Sequence, residues 1–336
     1  MNDWSQAPFD DALIFGDEHI ILNGHSIVHR DNYVFNKDAI LDQLAKNYCG
    51  QHILVKLHDG LNLKFSGLEY FLKHCCDNVG IPYNKVTFET INLDVDPVFG
   101  LQPMWQETFK HALENISMPD RNLHEAKFIG YTISRMTIAR LRLAYELDKA
   151  FANDSYCEFG NSYANNNEYM ERFYFDLPQN VRLKNHYRDE IEWFRTKEFT
   201  PSHLSHLSPP VGWQESYREY DRIWNRFQIE VIPETDVMSS YYFTEKTARC
   251  LVTGKPFVLI SGINSLARLR DLGFKTYGAV LDESYDSAKN PYKRIQMAIQ
   301  ALSNLYHSPE RHILLAQMYQ TAEENMSIYR EKYKTT

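Results

Sequence analysis

The chain has 336 residues, of which 43% are hydrophobic and 14% aromatic, enough apolar material for the cores of two ordinary domains, and this excludes a disordered chain. Its formal charge of −8 excludes a generally basic protein that coats nucleic acid, and leaves room only for a local basic groove. No run approaches the ~18 apolar residues of a membrane span, and the start Met-Asn-Asp-Trp-Ser has no signal-peptide profile, so the expected location is the cytoplasm. The five cysteines, Cys49, Cys75, Cys76, Cys157 and Cys250, are odd in number and show no CxxC spacing. Buried free thiols in a reducing compartment are expected, with Cys75-Cys76 inside an amphipathic helix.

Residues 1–17 read as an irregular lead-in. A short strand is expected over 18–22, a helix over 39–48 and a strongly apolar strand over 52–57. That strand runs into His58-Asp59-Gly60, and Asn23-Gly24-His25-Ser26 makes an earlier turn, so His25, His58 and Asp59 are candidate catalytic residues at strand ends. Each also has a plain turn-forming role. Helical spacing over 68–79, a break at Pro82 and a β-like run over 85–91 complete a first α/β unit. A helix over 105–115 closes it. Asp94-Val95-Asp96 is the one Asp-x-Asp pattern available to a metal.

A linker at Met118-Pro119-Asp120-Arg121 sets the expected domains at 1–120 and 121–336. A strand over 127–133 leads through Ser134-Arg135 into a helix that carries Arg140 and Arg142. Residues 151–225 have little regular periodicity apart from a helical stretch over 183–197. There Lys184, His186, Arg188 and Arg195 interleave with Tyr187 and Trp193, a pattern that suits stacking on bases or sugars as well as ordinary packing.

From Phe227 to Asp286 the rhythm becomes regular. An apolar strand over 227–232 ends at Glu234. Thr244 is a good N-cap for a helix whose first turn holds Glu245 and Lys246, and Gly254 stops it. A strand over 257–260 follows, then the Ser261-Gly262 turn, a helix over 265–272 and a third β-like run over 276–281. This β-α-β-α-β order predicts a parallel sheet with crossover helices, whose ligands bind beyond the carboxyl ends of the strands. Glu234, Thr244, Glu245, Lys246 and Gly262 all fall at that edge, where a carboxylate can hold ribose hydroxyls and a lysine with free helix N–H groups can hold a diphosphate. Asp282-Glu283-Ser284-Tyr285-Asp286 reads as a polar loop before a capped helix. Helices over 291–306 and 309–332 end the chain.

The order Glu234-Thr235, then Phe243-Thr244-Glu245-Lys246-Thr247, then Gly254-Lys255-Pro256-Phe257-Val258-Leu259 resembles the donor-binding half of the α1,3-fucosyltransferase family. Thr235 stands where that family has Asn, and one extra residue precedes the Thr-Glu-Lys. The segment after Leu269, with Asp282 to Asp286, resembles glycosyltransferase-like proteins of phages and bacteria. In the family's pattern a helix after a Ser-ended strand sends an arginine to the donor diphosphate. Arg140 matches that position, with Arg135 as its rival.

The resemblance implies an α/β protein of two Rossmann-like domains facing one another across a cleft (the GT-B architecture), with C-terminal helices. It implies a glycosyltransferase, a hexosyl- or pentosyltransferase, taking a nucleotide sugar as co-substrate. Arg140 or Arg135, Glu234, Thr244, Glu245, Lys246 and Gly262 would hold the donor, and no metal or other cofactor would be needed. The expected acceptor is hydroxymethylated cytosine in phage DNA, with the host cytoplasm as the expected location, or alternatively a bacterial surface glycan. A non-catalytic nucleotide-sugar-binding module is the alternative from another class.

Overall fold

The computed structural model describes residues 13–15, 19–23, 37–57, 68–90, 100–103, 109–110, 112–114, 123, 125–133, 138–160, 188–197, 200–202, 220, 223–234, 237 and 243–333. The protein is α/β, with two five-stranded sheets that are parallel except for one edge pair. Its two compact units are Met1–Trp105 and Gln106–Thr336. The sequence places the division at residue 120 instead. Phe109 explains the earlier position, because its ring packs against Phe274, Tyr329 and Tyr333 and its carbonyl accepts from the Tyr329 hydroxyl.

In the first unit β1 (Leu13–Phe15) runs antiparallel to β2 (His19–Asn23). Parallel to β2 follow β3 (His52–Leu57), β4 (Val86–Thr90) and β5 (Gly100–Pro103), so the strands stand in chain order. Helices α1 (Lys37–Asn47) and α2 (Leu68–Val79) bring Ile40, Leu44, Phe71 and Leu72 onto Ile20, Ile53, Val55 and Phe88 of the strands. Cys75 and Cys76 belong to this core as free thiols. Burial, with each next neighbour adding, pushes them up to about 12 and about 11, so they pack as inert apolar groups.

The second unit is built on β6 (Lys127–Ile133), β7 (Ser155–Gly160), β8 (Thr200–Ser202), β9 (Phe227–Pro233) and β10 (Phe257–Ile260), all parallel. They stand in the order β10-β9-β6-β7-β8. The chain therefore steps outward from β6 to β8, returns, and steps outward on the other side through β9 to β10. The reversal lies between β6 and β9, and a crevice at the carboxyl ends of two such strands is where open α/β sheets take their ligands. Every residue of β10 is buried, and all but one in each of β6 and β9, as expected for strands covered on both faces.

Two neighbouring residues of β6 define those faces. The Tyr131 hydroxyl donates to the Ala144 carbonyl of α3 (Ile138–Phe151), while the Thr132 hydroxyl accepts from Arg249 of α5 (Glu245–Thr253). Successive side chains of a strand point to opposite faces, so α3 and α5 cover opposite sides of the sheet. On one side α3 packs against α4 (Arg188–Thr196) and α7 (Pro291–His307), and on the other α5 packs against α8 (Arg311–Tyr333). Gly130 of β6 is required by its surroundings, since a Cβ there would overlap the Phe227 ring.

The expected strand over 276–281 does not form. The Tyr277 carbonyl accepts from both Val280 and Leu281 amides, a turn. The Glu283 carboxylate holds that turn by accepting from the Thr276 hydroxyl (2.7 Å) and the Tyr277 amide (2.6 Å). The sheet ends at β10, and α6 (Ser265–Asp271) leads into this turn.

Candidate functional site

The carboxyl end of β9 is the residue pair Pro233-Glu234, and side chains from both covering layers converge on it. From α3, the Arg140 guanidinium forks onto the Pro233 carbonyl through Nε (3.0 Å) and Nη2 (2.7 Å). Arg140 lies in the first turn of α3 and is buried, so a cation is lodged at the strand-order reversal. From α5, Thr244 caps the helix: its hydroxyl accepts from the Lys246 amide at 3.3 Å. Such a cap stabilises a helix by about 0.5–2 kcal/mol. Gly254 in the left-handed region (φ 66°) closes the other end.

Glu234 is wholly buried and faces α5. One carboxylate oxygen accepts from the Thr244 amide (2.9 Å) and the Thr247 hydroxyl (2.8 Å), the other from the Thr244 hydroxyl (2.7 Å). Its own amide donates to the Ile260 carbonyl of β10 at 3.0 Å. Burial raises its pKa from the ordinary carboxylate value, against the pull of Lys246 and the Thr244 hydrogen bonds.

The Lys246 ammonium, 8% exposed, donates to Glu245 Oε1 (2.7 Å) and to the Thr244 hydroxyl (3.3 Å). Glu245 is the more accessible partner at 17%. Its partial burial works to raise its pKa, but the Lys246 charge and hydrogen bond, with Arg249 beyond, hold it below the ordinary value. The result is a carboxylate and an ammonium at the start of one helix, and a guanidinium of another, around one strand end. The Lys246 ammonium and the positive end of α5 suit a phosphate, with the buried Arg140 adding its charge from behind Pro233, and Glu245, the more accessible member of its pair, suits vicinal hydroxyls.

Beneath this group α5 is fastened to the sheet by residues that the sequence gives no reason to single out. Arg249, one turn along from Glu245, pairs with the buried Glu230 of β9 and donates to Thr132 of β6 at 2.8 Å. Glu230 also accepts from the Tyr220 hydroxyl and the Cys250 thiol. Arg294 of α7 donates to the Val237 and Ser261 carbonyls (both 2.8 Å), joining the loops that leave β9 and β10.

The expected site residues are therefore placed unequally. Arg140, Glu234, Thr244, Glu245 and Lys246 are drawn together through the Pro233-Glu234 step. Glu234, however, spends its carboxylate on Thr244 and Thr247, and does not offer an accessible face to a ligand. Gly262 stands before α6, whose N–H groups are expected to be free. They are not: the Asp286 carboxylate accepts from Leu266 (2.9 Å) and Ala267 (3.0 Å). Asp282 likewise caps its own turn through the Ser284 amide, so this acidic loop serves helix ends.

Arg135, His25, His58, Asp59, Asp94 and Asp96 lie outside the described residues. Of the basic-aromatic stretch, Arg188 is exposed at the start of α4, and Trp193 donates to Asp148 and packs edge-on against Tyr145 of α3. Lys184, His186, Tyr187 and the Arg195 side chain lie outside the described residues. Among the described residues no group of three His, Cys, Asp or Glu side chains is arranged to hold a metal, and no helix is long and apolar enough to cross a membrane. Comparison of the chain with protein-family models gives no match, and comparison with curated proteins gives none either.

Proposed function

We propose that this protein is a glycosyltransferase that moves a sugar from a nucleotide-sugar donor to an acceptor hydroxyl, with the donor held by a Rossmann-like second unit. One observation carries the reading. At the reversal between β6 and β9, Arg140 from one layer meets Pro233, the last residue of β9, and the Thr244-Glu245-Lys246 turn from the other meets Glu234, the residue after it. Lys246, held at Thr244, would meet the diphosphate with the buried Arg140 adding its charge across Pro233, and Glu245 would accept from the ribose hydroxyls in place of the Lys246 ammonium. As the glycosidic bond to the leaving nucleotide breaks, negative charge grows on the diphosphate, and two fixed cations stabilise it without a metal. A base that takes the acceptor proton would come from His25, His58 or Asp59.

For the acceptor we propose hydroxymethylated cytosine in DNA. The net charge of −8 then restricts DNA contact to a local patch, with the stretch around Arg188 as its candidate. Few counterions would be released, so binding would be weak with a shallow salt dependence. The test incubates purified protein with a panel of nucleotide sugars and with hydroxymethylcytosine-containing or unmodified DNA, then digests to nucleosides for mass spectrometry. A hexose or pentose mass increment on the modified DNA alone is expected. Transfer to an oligosaccharide or lipid-linked acceptor, with both DNAs unchanged, replaces the DNA acceptor by a glycan. Binding of a donor without transfer to any acceptor identifies a non-catalytic module.

A further inference from the structure

We infer that Glu234 is a positioning residue that never touches the donor: by accepting the Thr244 hydroxyl's hydrogen bond it turns that oxygen's lone pairs toward Lys246 and so aims the ammonium at the diphosphate. The inference rests on the diphosphate reading of this site. The Thr244 hydroxyl has a single proton to give. Its hydrogen-bond neighbours are Glu234 Oε2 at 2.7 Å, the Lys246 amide at 3.3 Å and the Lys246 ammonium at 3.3 Å. The last two are donors only, which leaves Glu234 as the acceptor among them, and the direction of the whole chain follows.

Glu234 itself has no freedom to turn. Its other oxygen is held by the Thr244 amide and the Thr247 hydroxyl, and its backbone is tied to Ile260. Lys246 thus has one fixed acceptor, Thr244, and one accessible acceptor, Glu245. When ribose hydroxyls occupy Glu245, Thr244 keeps the ammonium in place. A buried carboxylate whose pKa is pushed up is a costly way to cap a helix that Thr244 already caps, and this fits a group retained for the site.

An amide in place of the carboxylate separates positioning from packing. Gln at 234 keeps the shape but presents an NH2 to the Thr244 hydroxyl, which must then accept from it in competition with Lys246. The test measures binding of inorganic pyrophosphate to the full chain by calorimetry, with thermal melts to show that each variant is folded. Glu234→Gln and Thr244→Val should each weaken binding about tenfold, and Thr244→Ser, which keeps the hydroxyl, should stay within about twofold of wild type. In a Lys246→Ala background, Glu234→Gln should change nothing further, a coupling that a merely structural role does not produce. If Lys246→Ala weakens binding while Glu234→Gln does not, or if the Glu234→Gln effect persists undiminished without Lys246, the positioning role is overturned alone. If the wild type takes up no pyrophosphate, or Lys246→Ala leaves its affinity unchanged, the diphosphate reading fails and this inference with it.

Discussion

Replacing Arg249 by Met tests the foundation of the site, because this one side chain joins the helix that carries Lys246 to the two strands flanking the reversal. Arg249 is 2% exposed and its partner Glu230 is fully buried. The guanidinium pairs with Glu230, donates to Thr132 and sits 4.7 Å above the Tyr220 ring. Methionine fills similar space but leaves the buried Glu230 carboxylate with the Tyr220 hydroxyl and the Cys250 thiol as its side-chain donors among the described residues. Removing one partner of a buried pair costs about 3–5 kcal/mol, chiefly through the uncompensated charge. For a unit of this size each kcal/mol lowers Tm by about 2–4 °C, so a drop of about 6–20 °C is expected. Thermal unfolding followed by circular dichroism measures it. Adding Glu230→Gln to Arg249→Met removes the stranded charge and should recover part of the loss. A single variant melting within about 2 °C of wild type, or a double variant no more stable than the single, refutes the reasoning.

Gly130→Ala forces a methyl into the Phe227 ring and should destabilise the second unit by about 1–3 kcal/mol, read as a shift of the urea midpoint, with Phe227→Leu relieving it. Glu245 has a folded pKa below its unfolded one, so its ionised form stabilises the fold above the unfolded value, and that contribution disappears as pH falls through the folded value. Glu245→Gln should accordingly lower the urea midpoint at about pH 7, with a deficit that shrinks as pH falls below the unfolded carboxylate value, whereas a deficit independent of pH contradicts the Lys246 pairing. Sugar transfer should persist in excess chelator, since Arg140 and Lys246 supply the positive charge. Loss of transfer that added manganese or magnesium restores points instead to Asp94 and Asp96.

Much of the fold is legible wherever an apolar run is bounded by turn residues. The strands at 52–57, 127–133 and 257–260 and the helix at 68–79 fall as the sequence predicts, and Thr244 and Gly254 cap α5 as their residue types imply. β7 is not legible, because Ser155-Tyr156-Cys157-Glu158 mixes polar and apolar residues without period, and its place comes from pairing with β6. β8 is three residues long and carries no pattern of its own. The run over 276–281 misleads because Thr276 and Tyr277 favour strands, while Glu283, several residues later, captures both in a turn. At the site, residue types identify which side chains gather at the β9 edge but not which way they face. That Glu234 turns inward depends on Thr244 and Thr247 lying on the same helical face. That Gly262 precedes a closed helix end depends on Asp286, twenty residues from the amide it caps.

The central claim is that the Pro233-Glu234 edge holds a nucleotide sugar, and calorimetric titration of the full chain with UDP-, GDP- and CDP-linked sugars tests it directly. One of these donors should bind with one-to-one stoichiometry. Lys246→Ala and Arg140→Met, each shown to be folded, should weaken that binding by about 1.5–3 kcal/mol, roughly ten- to a hundredfold. Absence of heat with every donor, or donor affinity unchanged in both folded variants, contradicts it.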